Sequence, residues 1–192
     1  MKNIVLVCGP PFSGKGTQSI KIAENMGYIH ISSGDLLRGE KRNNSEISGK
    51  ILEYEKKGQL LPDEIAIPFI ESKLLDLLKD HNLVLDGYPR NLEQLTSFES
   101  FIRNNRFHIL GVFSFVIQEK TLIQRAAKRA SQTNRIDDRS YHLHKKRISE
   151  FHSVTKPILK RLEQLDNFHI IDADRSINTI FEEIQLRLED AE

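Results

Sequence analysis

The sequence predicts an α/β fold of three layers: a central parallel sheet of about five strands, helices on both faces, and inserted polar segments that stand apart from it. Two observations carry this. Short, continuously apolar runs alternate with longer amphipathic segments, the pattern of strands covered on both faces and joined by crossover helices. In addition, Ile4-Val5-Leu6-Val7-Cys8 runs directly into Gly9-Pro10-Pro11-Phe12-Ser13-Gly14-Lys15-Gly16-Thr17, a glycine-rich loop leaving a buried strand. That loop makes the fold one of the P-loop kind.

Each element follows from its own residues. The apolar runs at 4–8, 28–31, 83–86, 110–117 and 168–171 are the strands. Apolar residues at helical spacing place helices over 16–25, 65–78, 92–104, 120–130, 141–165 and 177–188. Two stretches fit this alternation poorly: 32–61 is mostly polar with helical character, and 131–138 is polar and short of apolar anchors. Both are candidate moving flaps. There is no internal repeat and no low-complexity segment.

A chain of 192 residues supports one main domain with inserted flaps rather than two independent units. Its net charge of +1 gives no reason to expect nucleic acid or a membrane surface as a partner. The lone Cys8 excludes an intramolecular disulfide and reads as a small core residue in a reducing cytoplasm. The apolar stretch before the glycine loop is far shorter than the roughly 18 residues a membrane span needs, and no secretory signal is visible.

The chemistry starts at the loop. In G-x-x-x-x-G-K followed by Gly16 and Thr17, successive backbone N–H groups curl around an oxyanion and the next helix adds its positive end. Lys15 reaches the outer phosphates, and a hydroxyl can ligate magnesium. A second motif, Leu85-Asp86-Gly87-Tyr88-Pro89-Arg90, closes a strand with an acid. The carboxyl ends of parallel strands gather at the ligand crevice, so Asp86 sits near the loop and can hold magnesium through water. The alternative, an Asp that only caps a turn, weakens with Lys15 upstream. Gly87 permits close backbone approach, and Pro89 stiffens the turn that presents Arg90.

The third signal is a set of arginines: Arg38, Arg90, Arg125, Arg129, Arg135 and Arg147. From 125 to 147 eight basic residues face only Asp137 and Asp138. Any one of these could be a solvated surface charge. Together with a phosphate loop they point to charge stabilisation in phosphoryl transfer, for which the planar guanidinium fork is suited.

These blocks, in this order, make the chain resemble an adenylate kinase, a nucleoside monophosphate kinase of the short-lid form. They are Gly9 to Gln18, Ile31 to Arg38, Gly58 to Glu64, Leu85 to Arg90 with Gln94, and Arg135-Ile136-Asp137-Asp138 followed by Lys146-Arg147. The resemblance implies a core of 1–31, 62–127 and 139–192, a monophosphate-binding flap at 32–61 and a lid at 128–138. It implies reversible, magnesium-dependent phosphoryl transfer from ATP to AMP giving two ADP, in a cytoplasmic monomer. Phe12, Ser13, Gly14, Lys15, Gly16 and Thr17 would hold the ATP phosphates, with magnesium on Thr17 and, through water, Asp86. Arg125 would stack on the adenine, Arg129 would meet the phosphates, and backbone near Arg175 would border the base. AMP would meet Ser33, Arg38, Gln59, Leu60, Leu61, Gly87, Tyr88, Pro89, Arg90 and Gln94. Arg135 and Arg147 would bridge donor and acceptor as the lid closes. Lys15, Asp86, Arg90, Arg129, Arg135 and Arg147 form the catalytic set.

Base choice rests on Gln94, whose amide can pair with the adenine edge. Pyrimidine monophosphate kinases are similar too, and Asn91 after Arg90 is like theirs, but they commonly carry Asn at the position of Gln94. Pro62-Asp63-Glu64 also leans to the adenylate type. UMP/CMP kinase is therefore the alternative, and a non-catalytic nucleotide sensor a further one. Phe12 is the best argument for the sensor, because the family usually has Gly there and a positive φ would cost a Phe about 1–2 kcal/mol. Ser33 stands for the usual Thr and Asn134 for the usual Gly. Zinc is not expected: 131–138 lacks Cys and His, and His142 and His144 are two apart on a predicted helix and do not share a face. His30, His81, His108, His152 and His169 read as structural or exposed.

Overall fold

The computed structural model describes residues 1–41, 47–57, 59–130 and 141–191. In its first half, β1 (Asn3–Cys8), α1 (Lys15–Met26), β2 (Ile29–Ser32), α2 (Ser33–Glu40), α3 (Ser48–Lys57), α4 (Asp63–Leu78) and β3 (Leu83–Asp86) follow one another. Then come α5 (Leu92–Asn105), β4 (His108–Val116), α6 (Glu119–Ala130), α7 (Tyr141–Glu150), a π-helical turn (Phe151–Thr155), α8 (Lys156–Leu162), β5 (Phe168–Asp172) and α9 (Ile177–Glu189). The five strands form one parallel sheet in the order β2-β3-β1-β4-β5.

Alternation along β1 builds the two outer layers. Ile4, Leu6 and Cys8 face one side, where α4 (Ile70, Leu74, Leu78), α5 (Leu95, Phe98) and α8 (Ile158, Leu162) cover them. Val5 and Val7 face the other, under α1 (Ile22, Ala23) and α9 (Ile180, Ile184, Leu188). The inner strands β3, β1 and β4 thus have apolar neighbours above and below, which is why their sequences read as apolar runs, while the edge strands β2 and β5 are only partly buried. Helix ends are set locally: α1 stops at Gly27 in the left-handed region, with the Tyr28 N–H bonded to Ala23 O. The side chains of Asn91 and Ser176 cap the starts of α5 and α9.

One predicted helix differs. The segment read as continuous over 141–165 is α7, a π-helical turn and α8, ending at Leu162. Pro157 has no N–H to offer the preceding turn, and the Lys156 N–H reaches back five residues to Phe151 O. The predicted flap over 32–61 contains α2 and α3, with 42–46 and 58 outside the described residues. Of the predicted lid, Lys128, Arg129 and Ala130 form the end of α6, and 131–138 lies outside the described residues. Among the described residues no helix is long and apolar enough to cross a membrane.

Cys8 lies where β1 meets the glycine loop. Burial pushes its thiol up to about 12, the nearby Asp86 carboxylate adding and Lys15 opposing. A thiol held protonated is a poor nucleophile. Native protein at pH 8 should therefore stay unmodified by a colorimetric disulfide reagent, and protein in denaturant should titrate one thiol. Rapid native labelling would contradict this burial.

Candidate active site

The loop after β1 is held by close packing. Gly9 has φ +147, and a Cβ there would lie 2.7 Å from Phe115 Cβ on β4, so only glycine fits. Phe12 and Gly14 have φ of 68 and 92, giving the loop two left-handed turns before α1 begins at Lys15. Ser13 O and Ala173 O each accept a 2.8 Å bond from the guanidinium of Arg125, at NH1 and NH2. The loop is thereby tied to α6 and to the turn after β5. Gln18 Nε2 adds a 2.8 Å bond to Ile177 O on α9. The first N–H groups of α1 lack intrahelical acceptors and carry the positive end of the helix dipole.

Lys15 opens α1, and its Nζ donates to Pro10 O at 3.4 Å. Burial pulls the ammonium down to about 8; Asp86 opposes this, and Arg90, Arg147 and Arg129 push it further down. Asp86 ends β3 in register with Val7 of β1, beside the loop. It is buried, its Oδ2 3.9 Å from His30 Nε2, while its Oδ1 has no hydrogen-bond partner. A Cβ on Gly16 would lie 3.4 Å from Asp86 Oδ2, so the carboxylate abuts the start of α1. A buried carboxylate oxygen without a donor, next to a hydroxyl-bearing helix start at Thr17, fits the outer hydration shell of a hard cation. Among the described residues no group of three or more His, Cys, Asp or Glu could hold a metal.

Beyond Asp86 the chain turns on Gly87, at φ +75, and the Tyr88–Pro89 peptide is cis. The Gly87 carbonyl accepts from Ser33 Oγ at 2.6 Å and from Arg90 Nε at 2.5 Å, and Arg90 NH2 donates to Ser33 Oγ at 3.0 Å. Burial, with Arg147 adding to it, lowers the affinity of Arg90 for its proton, though a guanidinium stays charged. Arg38 is oriented by Asp35 Oδ1, bonded from Nε at 3.1 Å and NH2 at 2.7 Å. The side chain of Gln94, 3% exposed, accepts from the Arg90 N–H at 2.9 Å and donates to Asp63 Oδ1 at 2.7 Å. Asn91 donates to Asp63 Oδ2 at 2.7 Å.

These groups converge on one cavity of about 410 Å³ at the carboxyl ends of the strands. Of the residues expected there, Phe12, Gly14, Lys15, Gly16, Thr17, Ser33, Arg38, Gln59, Leu60, Leu61, Asp86, Gly87, Tyr88, Pro89, Arg90, Gln94, Arg129 and Arg147 line it. Ser13 is a buried residue of the loop outside the lining, and Arg125 contacts backbone outside the lining. Arg175 lies in the turn before α9, bonded to Asp172 O at 3.1 Å and paired with Glu183, also outside the lining. Arg135 lies outside the described residues. Sequence reading missed Glu150, whose Oε1 accepts from the Leu60 N–H at 3.1 Å, and Glu71, whose Oε1 accepts from Tyr88 OH at 3.1 Å. Neither has a local signal. It also missed what Phe12 touches.

Comparison with known proteins gives the following. A family model described as adenylate kinase matches residues 7–167. The chain is 32% identical over 187 residues to "Adenylate kinase 1" of Schistosoma mansoni, covering 97% of this chain and 92% of the relative. It is also 32% identical to "Adenylate kinase" of Phocaeicola vulgatus, covering 98% and 99%, and to the human "UMP-CMP kinase", covering 94% of each.

The lowered Lys15 sets a pH dependence. Phosphate oxygens brought to Nζ would favour the ammonium, so such a complex would keep a proton that the free protein loses as pH rises through about 8. ATP affinity should fall above pH 8, with proton uptake visible as a buffer-dependent heat in titration calorimetry. Lys15→Met should abolish that uptake; a flat profile in the parent protein would contradict the assignment.

Proposed function

The chain belongs to the adenylate kinase family, and from that premise we propose that it is an ATP:AMP phosphotransferase. The observation that carries the choice of AMP is the locked amide of Gln94. A carboxamide offers two N–H donors and an oxygen with two lone pairs. One donor goes to Asp63 Oδ1 and one lone pair to the Arg90 N–H, leaving one donor and one lone pair for a ligand. That pair complements the ring nitrogen and amino group of adenine. Uracil and guanine present the reverse order of donor and acceptor. Flipping the amide to suit them would turn its oxygen onto the Asp63 carboxylate. Cytosine shares the adenine order but is a smaller base with a shorter reach from the ribose. The second reading, a UMP/CMP kinase, has Asn91 and the UMP-CMP relatives in its favour. Here, however, Gln94 lines the cavity and Asn91 does not, its amide capping α5 and donating to Asp63.

In this reading the loop holds the ATP phosphates, with Lys15 at the transferred group. Arg38 and Arg90 bind the AMP phosphate. An AMP phosphate oxygen attacks the γ-phosphorus in line as the bond to the β-phosphate oxygen breaks, giving two ADP. Arg90, Arg129, Arg135 and Arg147 neutralise charge spread over the transferring oxygens, which is most of what such a transfer needs from protein. Magnesium, held at Thr17 and through water at Asp86, would supply further neutralisation of the ATP phosphates. Water is the competing acceptor, so closure of the flap and lid over both nucleotides guards the reaction against hydrolysis. Arg125 and the turn at Arg175 flank the donor base.

The test is ADP formation from magnesium-ATP with AMP, CMP, UMP and GMP offered separately, and ATP alone as the hydrolysis control. AMP should be fastest, then CMP; a preference for either pyrimidine would overturn the assignment. Asp63→Ala frees the amide to rotate and should narrow the preference for AMP over UMP about tenfold, the order of one unmet hydrogen bond. Lys15→Met should remove most turnover, whereas a binding module would have none to lose.

A further inference from the structure

Phe12 occupies a conformation that disfavours it. Its φ is 68, in the left-handed region where a side chain with a Cβ is strained, and only surrounding contacts can keep it there. Those contacts are specific. The ring is 5% exposed and belongs to a separate apolar cluster with Leu122 and Ala126 of α6 and Ile148 of α7. His144 meets it edge-on with centroids 5.0 Å apart. The guanidinium carbons of Arg147 and Arg129 lie over the same ring, 5.1 Å and 5.8 Å from its centre. Both distances fall in the range where a ring face attracts a cation.

We propose that Phe12 is a positioning residue: its ring is a platform that holds the guanidiniums of Arg129 and Arg147 at the phosphate loop before nucleotide arrives. The kinetic part of this rests on the kinase reading above. Arg129 and Arg147 come from the helices on either side of residues 131–140, and both line the cavity with Lys15 and Arg90. Lys15, Arg90, Arg129 and Arg147 are like charges around one cavity, and their mutual repulsion works against gathering the long side chains at the loop. The negative face of an aromatic ring opposes this by attracting both guanidiniums at the loop. Fixing the two side chains in advance removes ordering cost from the transfer step. A glycine at this position would relieve the backbone and leave the arginines without the platform.

The experiment replaces Phe12 with 4-fluoro-, 3,5-difluoro- and 3,4,5-trifluorophenylalanine, which weaken the ring face stepwise at nearly constant shape. Turnover with ATP and AMP should fall in the same order, about threefold to tenfold by the trifluoro protein, with KM for AMP changing less than twofold. Phe12→Leu should lose about tenfold and Phe12→Tyr recover most of it. Phe12→Gly should turn over more slowly than the parent. A flat fluorine series, or faster turnover in Phe12→Gly, overturns the proposal. A second readout needs no catalysis: in nucleotide-free protein labelled with 15N-arginine, the side-chain resonances of Arg129 and Arg147 should be shifted upfield by the ring and lose that shift in Phe12→Leu. Unmoved resonances also overturn it. If the parent protein phosphorylates no nucleoside monophosphate, the kinase reading fails, while the arginine shifts and the ATP affinities of the fluorine series still decide whether the platform exists.

Discussion

Repulsion among Lys15, Arg90, Arg129 and Arg147, all lining a cavity of about 410 Å³, is the constraint to which much of the surrounding structure answers. At close range like charges cost several kcal/mol in a partly desolvated site. Asp86 supplies one opposing charge from the end of β3, and Glu150 another from α7. The sheet order makes the first possible: β1 and β3 are neighbours, so the glycine loop and the acid leave adjacent strands at the same end. Carbonyl oxygens do further work, since Gly87 O accepts from Arg90 and Pro10 O from Lys15. The site is thus built to hold positive charge in place ahead of the anion it binds, the arrangement that phosphoryl transfer rewards.

The same requirement bears on the backbone around the cavity. Gly9, Phe12, Gly14 and Gly87 all have positive φ, and all four lie within the two loops that meet at the cavity. Three are glycines, for which the conformation is easy. Phe12 is the exception, and the strain it bears is offset by an apolar cluster and two cations rather than by the loop itself.

How much of this could be read from the chain depended on the range of each interaction. The glycine loop was legible because its chemistry is contiguous, and Asp86 because an acid closing an apolar run has a place in a parallel sheet. The sheet was legible because two-sided burial leaves unbroken apolar runs. Side chains that act on distant backbone were not: Glu150 and Leu60 are ninety residues apart, and nothing near either marks the bond. Periodicity likewise carried straight through Pro157, since an apolar repeat does not register a change from four-residue to five-residue hydrogen bonding. Gln94 stood out in the chain as a candidate, but its fixed orientation did not, because that comes from Asp63 at the start of α4. Phe12 stood out only as a misfit; the partners that turn it into a platform belong to helices more than a hundred positions further on.

Helix α7 presents Arg147 to the cavity and, one turn later, Glu150 to the backbone of Leu60, which follows α3. A single helical turn therefore touches both the cavity and the backbone at Leu60. Movement at Leu60 cannot proceed far without either breaking that bond or pulling on the helix that bears Arg147. Displacement at Leu60 is thereby tied to the placement of Arg147 with no relay through the sheet, only a lever three residues long.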